Sequence, residues 1–217
     1  MFKKIFRAGI ICFLILALSH IPCHAVTVGY DFSGETPQFA TGDLGAPNHL
    51  FIHSYAMPYD GFVTSATFRN DSDTASGPQP ISLLILRPYT DPVDGDGWKV
   101  SYRVDIPDSI FNHGIAGDTT YNLPTALAVD HGDIFAHWQL QDAGPIPLNI
   151  YGTGMSNGRF GYEGIWNIDP GTFIKNDGFT GGRDYFINLN LSPVPEPTSM
   201  LLLGLGLMGL AGARRRL

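Results

Sequence analysis

Residues 98–106 read WKVSYRVDI, and this stretch decides the fold class. Trp98, Val100, Tyr102, Val104 and Ile106 alternate with Lys99, Ser101, Arg103 and Asp105. Strict period-two alternation over nine residues marks a half-buried antiparallel strand. The same period recurs on both sides. Val26, Val28, Tyr30 and Phe32 alternate, as do Phe62, Thr64, Ala66 and Phe68. Ile134, Ala136, Trp138 and Leu140 repeat the pattern, and so do Tyr185, Ile187, Leu189 and Leu191. Residues 81–86, ISLLIL, are almost continuously apolar and suit a central core strand. Residues 50–55, 126–129 and 148–151 are weaker candidates.

Turn signals separate these runs: YDG at 59–61, SGP at 76–78, DGDG at 94–97, HGD at 131–133 and GG at 181–182. Eight or nine short strands punctuated in this way predict an all-β fold. The expected architecture is an antiparallel β-sandwich of jelly-roll type. The composition of the 217 residues agrees. With 26 Gly, 16 Pro and only 15% charged residues, a helical bundle, a coiled coil and a long charged tail are all disfavoured.

The two ends differ in kind from the middle, which divides the chain into 1–25, 26–192 and 193–217. Residues 26–192 hold seven Lys and Arg against 19 Asp and Glu, a formal charge of −12 where the whole chain has −7. Phosphate binding needs a basic surface, so nucleic acid is not an expected partner. Of those acids 17 are Asp, which favours turns and caps, and two are Glu, which favours helices. Both cysteines, Cys12 and Cys23, precede residue 26, so no disulfide is expected in the middle.

At the N-terminus, Lys3, Lys4 and Arg7 precede an apolar run at 9–18, then Cys23, His24 and Ala25. That is the pattern of a secretory signal peptide cut after Ala25, and an uncleaved anchor is the alternative. At the C-terminus, Pro195, Glu196 and Pro197 form a short extended element. An uncharged Leu- and Gly-rich stretch at 199–213 follows, and then Arg214, Arg215 and Arg216. This reads as a transmembrane helix with its basic end in the cytoplasm.

These three C-terminal parts, in this order, closely resemble the PEP-CTERM sorting signal of Gram-negative bacteria. The resemblance implies export across the inner membrane, transient anchoring there and processing by an exosortase. It is silent on residues 26–192. A strand after Asp60 and Gly61, the apolar strand ending Leu86, Arg87, Pro88, and the VDHGDI turn at 129–134 resemble exported bacterial jelly-roll domains, which bears on the fold rather than on an activity.

Candidate chemistry in the middle is sparse. GMSNG at 154–158 matches the nucleophile pattern G-x-S-x-G, but no helix pattern follows it and no histidine occurs after His137. Asp94 and Asp96, with Asp91, offer closely spaced carboxylates to a calcium ion, and a solvated hairpin turn is the competing expectation. Asp71 and Asp73 form a second, weaker cluster. His49, His53, His113, His131 and His137 show no zinc spacing and are expected at the surface or at strand ends. Glu163 with a nearby Asp is the one arrangement that suggests a glycoside hydrolase. Among the aromatics near predicted loops, Trp166 and Tyr162 rank first for stacking on sugar, because Gly161 and Gly164 leave their loop open.

The expected function is that of an exported, non-catalytic protein at the cell surface or in the exopolysaccharide or biofilm matrix. Its expected partners are the Sec translocon, an exosortase, the inner membrane transiently, and extracellular polysaccharide. A carbohydrate-binding module and a secreted glycan-active hydrolase are the alternatives.

Overall fold

The computed structural model describes residues 24–39, 45–70, 79–150, 159–194 and 204–205. Its larger compact unit spans Ala25–Ser192; the other comprises Met1–His24 and Pro193–Leu217. Strands are numbered in chain order. β1 (Val26–Gly29), β13 (Ile187–Pro193), β3 (Gly61–Arg69) and β6 (Asp118–Val129) form a four-stranded sheet in that order. A seven-stranded sheet runs β10 (Phe173–Lys175), β5 (Gly95–Ile106), β4 (Ile81–Asp91), β7 (Ile134–Gln139), β2 (His49–His53), β9 (Arg159–Tyr162) and β11 (Phe179–Gly181). β12 (Arg183–Tyr185) pairs with β8 (Leu148–Ile150). The paired strands are antiparallel, and the fold includes one curled half-barrel. A single-turn 3-10 helix at Asp108–Ile110 connects β5 to β6.

The two sheets share one core. Val28, Val63, Ala66, Phe68, Leu189 and Leu191 from the smaller sheet meet Phe51, Leu83, Ile85 and Phe135 from the larger. A second cluster covers the opposite, outer face of the large sheet: Leu50, Ile52, Leu84, Leu86, Val100, Ile134, Ala136, Tyr162, Ile168 and Ile174. Both faces of β4 are therefore buried, which is why its sequence is an unbroken apolar run. Each such side chain contributes roughly 1.5–3 kcal/mol by leaving water.

β5 departs from its sequence pattern in one consequential way. Leu86 pairs with Val100 but Ile85 pairs with Tyr102, so Ser101 is an extra residue, a β-bulge. Strand side chains alternate with period two, so one extra residue exchanges the faces beyond it. Trp98 and Val100 consequently join the outer cluster, while Tyr102, Val104 and Ile106 join the inter-sheet core. An unbulged strand would have put all five on one face and buried Arg103 and Asp105 on the other. The β3–β6 pairing is also irregular, between Val63 and Ser65, where β6 carries the extra residues. Val63, Ala66 and Phe68 are buried, and Phe62, expected in the core, is exposed. Leu140, also expected inside, falls past the end of β7 and is exposed.

The VDHGDI turn is held by a side-chain clamp. The Arg87 guanidinium on β4 donates to both carboxylate oxygens of Asp133, at 3.0 and 2.9 Å. Asp133 also accepts the Asp130 backbone N–H, and its carbonyl accepts that of Met57. Asp60 accepts the His131 N–H from across the chain.

Candidate functional site

The outer face of the large sheet carries the candidate site. A loop after β9 crosses this face and is fixed at two points. Ile165 donates its N–H to the Asn48 carbonyl and accepts from the Trp138 indole at 2.9 Å. Three residues on, Ile168 is buried in the outer cluster. Between these anchors Trp166 stands 78% exposed. Leaving so large an apolar ring in water is unfavourable, and the anchored backbone keeps it from folding inward. Tyr162 was expected beside it in an open loop. It instead ends β9, opposite Leu50, at 7% exposure, and burial pushes its phenol up. Tyr162 is thus part of the packing and Trp166 is the exposed ring.

Next to this loop, Asp105, Ser82 and Trp138 lie directly opposite one another across β5, β4 and β7. The Ser82 hydroxyl donates to Asp105 at 2.6 Å. Arg103 donates through Nε and Nη2 to the two Asp105 oxygens, at 2.8 and 3.3 Å. Its Nη1 reaches Asp169 at 3.1 Å. Burial works to raise the Asp105 carboxyl, but the hydrogen bonds from Arg103 and Ser82 prevail and hold it below the ordinary range. Asp105, chiefly, raises the Arg103 guanidinium in turn. Ser82, Arg103, Asp105 and Trp138, with Pro80 and Leu140, line a cavity of about 200 Å³, and Asp169 reaches it only through Arg103. Sequence reasoning missed this row because its reading of residues 98–106 did not include the bulge. The available signal was the apolar run at 81–86, which requires neighbours on both of its faces.

The other candidates are placed as follows. Asp91 accepts the N–H groups of Val93 and Asp94 and so caps the β4–β5 hairpin, and Asp96 accepts the Thr90 hydroxyl. Among the described residues no three His, Cys, Asp or Glu side chains converge as a metal ion requires. Glu163 has His49 at 3.8 Å. His113 bonds to Asp108 at 3.0 Å, and His131 sits in the turn before β7. His53 and His137 are not at the surface. Each is 1% exposed in the inter-sheet core, and their Nε2 and Nδ1 atoms are 2.8 Å apart. Phe51 and Phe135 stack on them and Tyr185 meets both edge-on. They lie on adjacent strands, a relation that counting along one strand does not detect. Burial lowers the His137 pKa to about 3.

Ala25 is exposed immediately before β1. Residues 1–23 of the expected signal peptide, Asp71, Asp73, Tyr151 and the 154–158 pattern lie outside the described residues. So do Pro195, Glu196, Pro197 and Arg214, Arg215 and Arg216; Gly204 and Leu205 are the described part of the expected C-terminal helix. Among the described residues no helix is long and apolar enough to cross a membrane.

No curated protein matches the chain. Residues 193–216 match the family model of the PEP-CTERM protein-sorting motif. That motif supports an exported protein with a membrane-anchored sorting signal, processed by an exosortase. Through these residues the chain carries a PEP-CTERM sorting domain.

Proposed function

We propose that the chain is a non-catalytic component of an exopolysaccharide or biofilm matrix, with structural or adhesive work done by residues 26–192. The sorting motif at 193–216 is the observation that carries this reading, because it directs the attached domain to the cell exterior. The signal peptide begins translocation and the C-terminal segment holds the chain while Pro195, Glu196 and Pro197 are presented for processing. The delivered domain is a jelly-roll sandwich. Its support is the strand order β1-β13-β3-β6 facing β5-β4-β7-β2, an eight-strand double Greek key with short strands added at the edges. His53 and His137, each 1% exposed in the inter-sheet core, are closed off from solvent, which counts against this pair as acid–base groups.

The test is expression of the full chain in an exosortase-bearing host and in its exosortase-deleted counterpart. The intact host is expected to release a form shortened at its C-terminus into the matrix fraction, and the deleted host to retain the full-length chain in the membrane. The same mass and the same fraction in both hosts would defeat the reading. A binding module is the second reading, favoured by the anchored and exposed Trp166. It expects retention on an immobilised glycan, reduced in Trp166→Ala.

A further inference from the structure

We propose that the groove floored by Trp138 and walled by Ser82, Arg103 and Asp105 is a subsite for one uncharged pyranose unit of a polysaccharide chain. This rests on the glycan-binding reading and specifies its ligand.

Arg103 gives the chemistry its direction. An unengaged guanidinium in a groove would recognise carboxylate or sulfate bidentately. This one is committed to Asp105 through two nitrogens and to Asp169 through the third. Two carboxylates against one guanidinium leave the cluster with a net negative charge. The domain around it carries −12. An anionic sugar would meet repulsion both locally and at long range.

What the groove offers is acceptors. Ionised carboxylates accept only, and each oxygen has two lone-pair positions. Arg103 and Ser82 fill part of that capacity on Asp105, while Asp169, outside the lining, holds the third Arg103 nitrogen. The acceptors are held in place before a ligand arrives, so little ordering is left to oppose binding. Sugar hydroxyls are the complementary donors. The apolar share of the wall comes from Trp138, Pro80 and the exposed Leu140, and suits the C–H face of a pyranose. At about 200 Å³ the groove is smaller than the roughly 300–1,000 Å³ that encloses a whole ligand. It fits one ring whose chain continues in both directions.

The experiment is retention of the full chain, in mild detergent, on three immobilised neutral polymers (a glucan, a mannan and a galactan) and on a polyuronate. Retention is expected on at least one neutral polymer and not on the polyuronate. Leu140→Glu, at the exposed lip and outside β7, sets a charged carboxylate against the apolar face of the ring and is expected to weaken retention about tenfold. Asp105→Ala is expected to do the same, with its thermal melt reporting whether the fold persists. Preference for the polyuronate would overturn the neutral-sugar assignment and leave glycan binding intact. Neutral-polymer retention indifferent to Leu140→Glu would place binding elsewhere and overturn the subsite. No retention on any polymer would overturn the glycan-binding reading together with the subsite.

Discussion

Acidification should destabilise the domain through the buried His137 ring before the carboxylates titrate. His137 is fully buried, and its pKa falls from 6.5 to about 3 because burial penalises the charged ring. With the folded-state pKa below the unfolded one, the neutral ring stabilises the fold fully above 6.5, and this stability is lost as pH falls toward 3. Over most of that window the unfolded chain binds the proton and the folded one does not. The slope is then about 1.4 kcal/mol per pH unit, so about 2 kcal/mol should be lost between about pH 8 and about pH 5. The carboxyls held low by hydrogen bonds, Asp105 and Asp108, contribute mainly below that range. The assay is urea unfolding at both pH values, for the native chain and for His53→Phe/His137→Phe. Replacing both partners leaves no orphaned ring nitrogen. The double variant should lose most of the dependence. Should it fail to fold, the His137 ring-proton shift of the native chain gives the same answer and should stay constant down to about pH 5. A His137 titration near 6.5, or a double variant that keeps the 2 kcal/mol dependence, refutes the reasoning.

Asp130 and Asp133 both lie 2.9 Å from the same Arg87 nitrogen, with side-chain exposures of 63% and 1%. Asp133→Ala should therefore cost about 2–3 kcal/mol by urea melt, at the low end for a broken buried pair because Arg87 is partly solvated. Asp130→Ala should cost about 1 kcal/mol or less in the same assay. At Gly97 a Cβ would overlap the Ile174 carbonyl oxygen and the Phe173 ring. Gly97→Ala should lower stability by about 1–3 kcal/mol and deprotect the β10 amides in hydrogen exchange. Addition of a chelator should leave the melting temperature unchanged, since the Asp91 turn is closed by its own backbone donors. A fall on chelation would show that Asp94 and Asp96 hold a cation.

The strand content was legible because period two survives wherever a strand is uninterrupted. Ile187, Leu189 and Leu191 of β13 alternate as read and are buried, whereas Tyr185, read as part of the same run, ends β12, and Phe186 between them is buried too. Residues 81–86 read correctly as a central strand. The faces were not legible across a bulge. Phe62 and Trp98 each sit on the side opposite to the one their neighbours imply, beside a register shift between Val63 and Ser65 in one case and at the Ser101 bulge in the other. The site followed the same rule. The exposure of Trp166 was legible because a large ring close to Gly164 suggests an open loop. The Ser82, Arg103, Asp105 and Trp138 row draws on three strands, and its alignment depends on pairing. Tyr162 misled because its flanking glycines suggested an open loop, whereas Gly178 packs directly against its ring. The histidine pair joins β2 to β7 and depends on the same long-range register.

The pairing of β1 with β13 has a consequence for biogenesis. Val26 lies opposite Leu191, so the first strand to emerge finds its partner only when nearly all of the domain has followed. β13 is no edge decoration: it stands between β1 and β3, and without it β1 has no sheet to join. Closing so long a loop is slow, because its entropy is lost before any contact is gained. The residues immediately after β13 are those of the sorting motif. Completion of the fold and arrival of the sorting signal are therefore almost one event in time. A chain stalled or cut ahead of that motif would be left as an unfinished sheet, recognisable to proteases. The strand order thus ties a finished sheet to a chain long enough to carry its sorting motif.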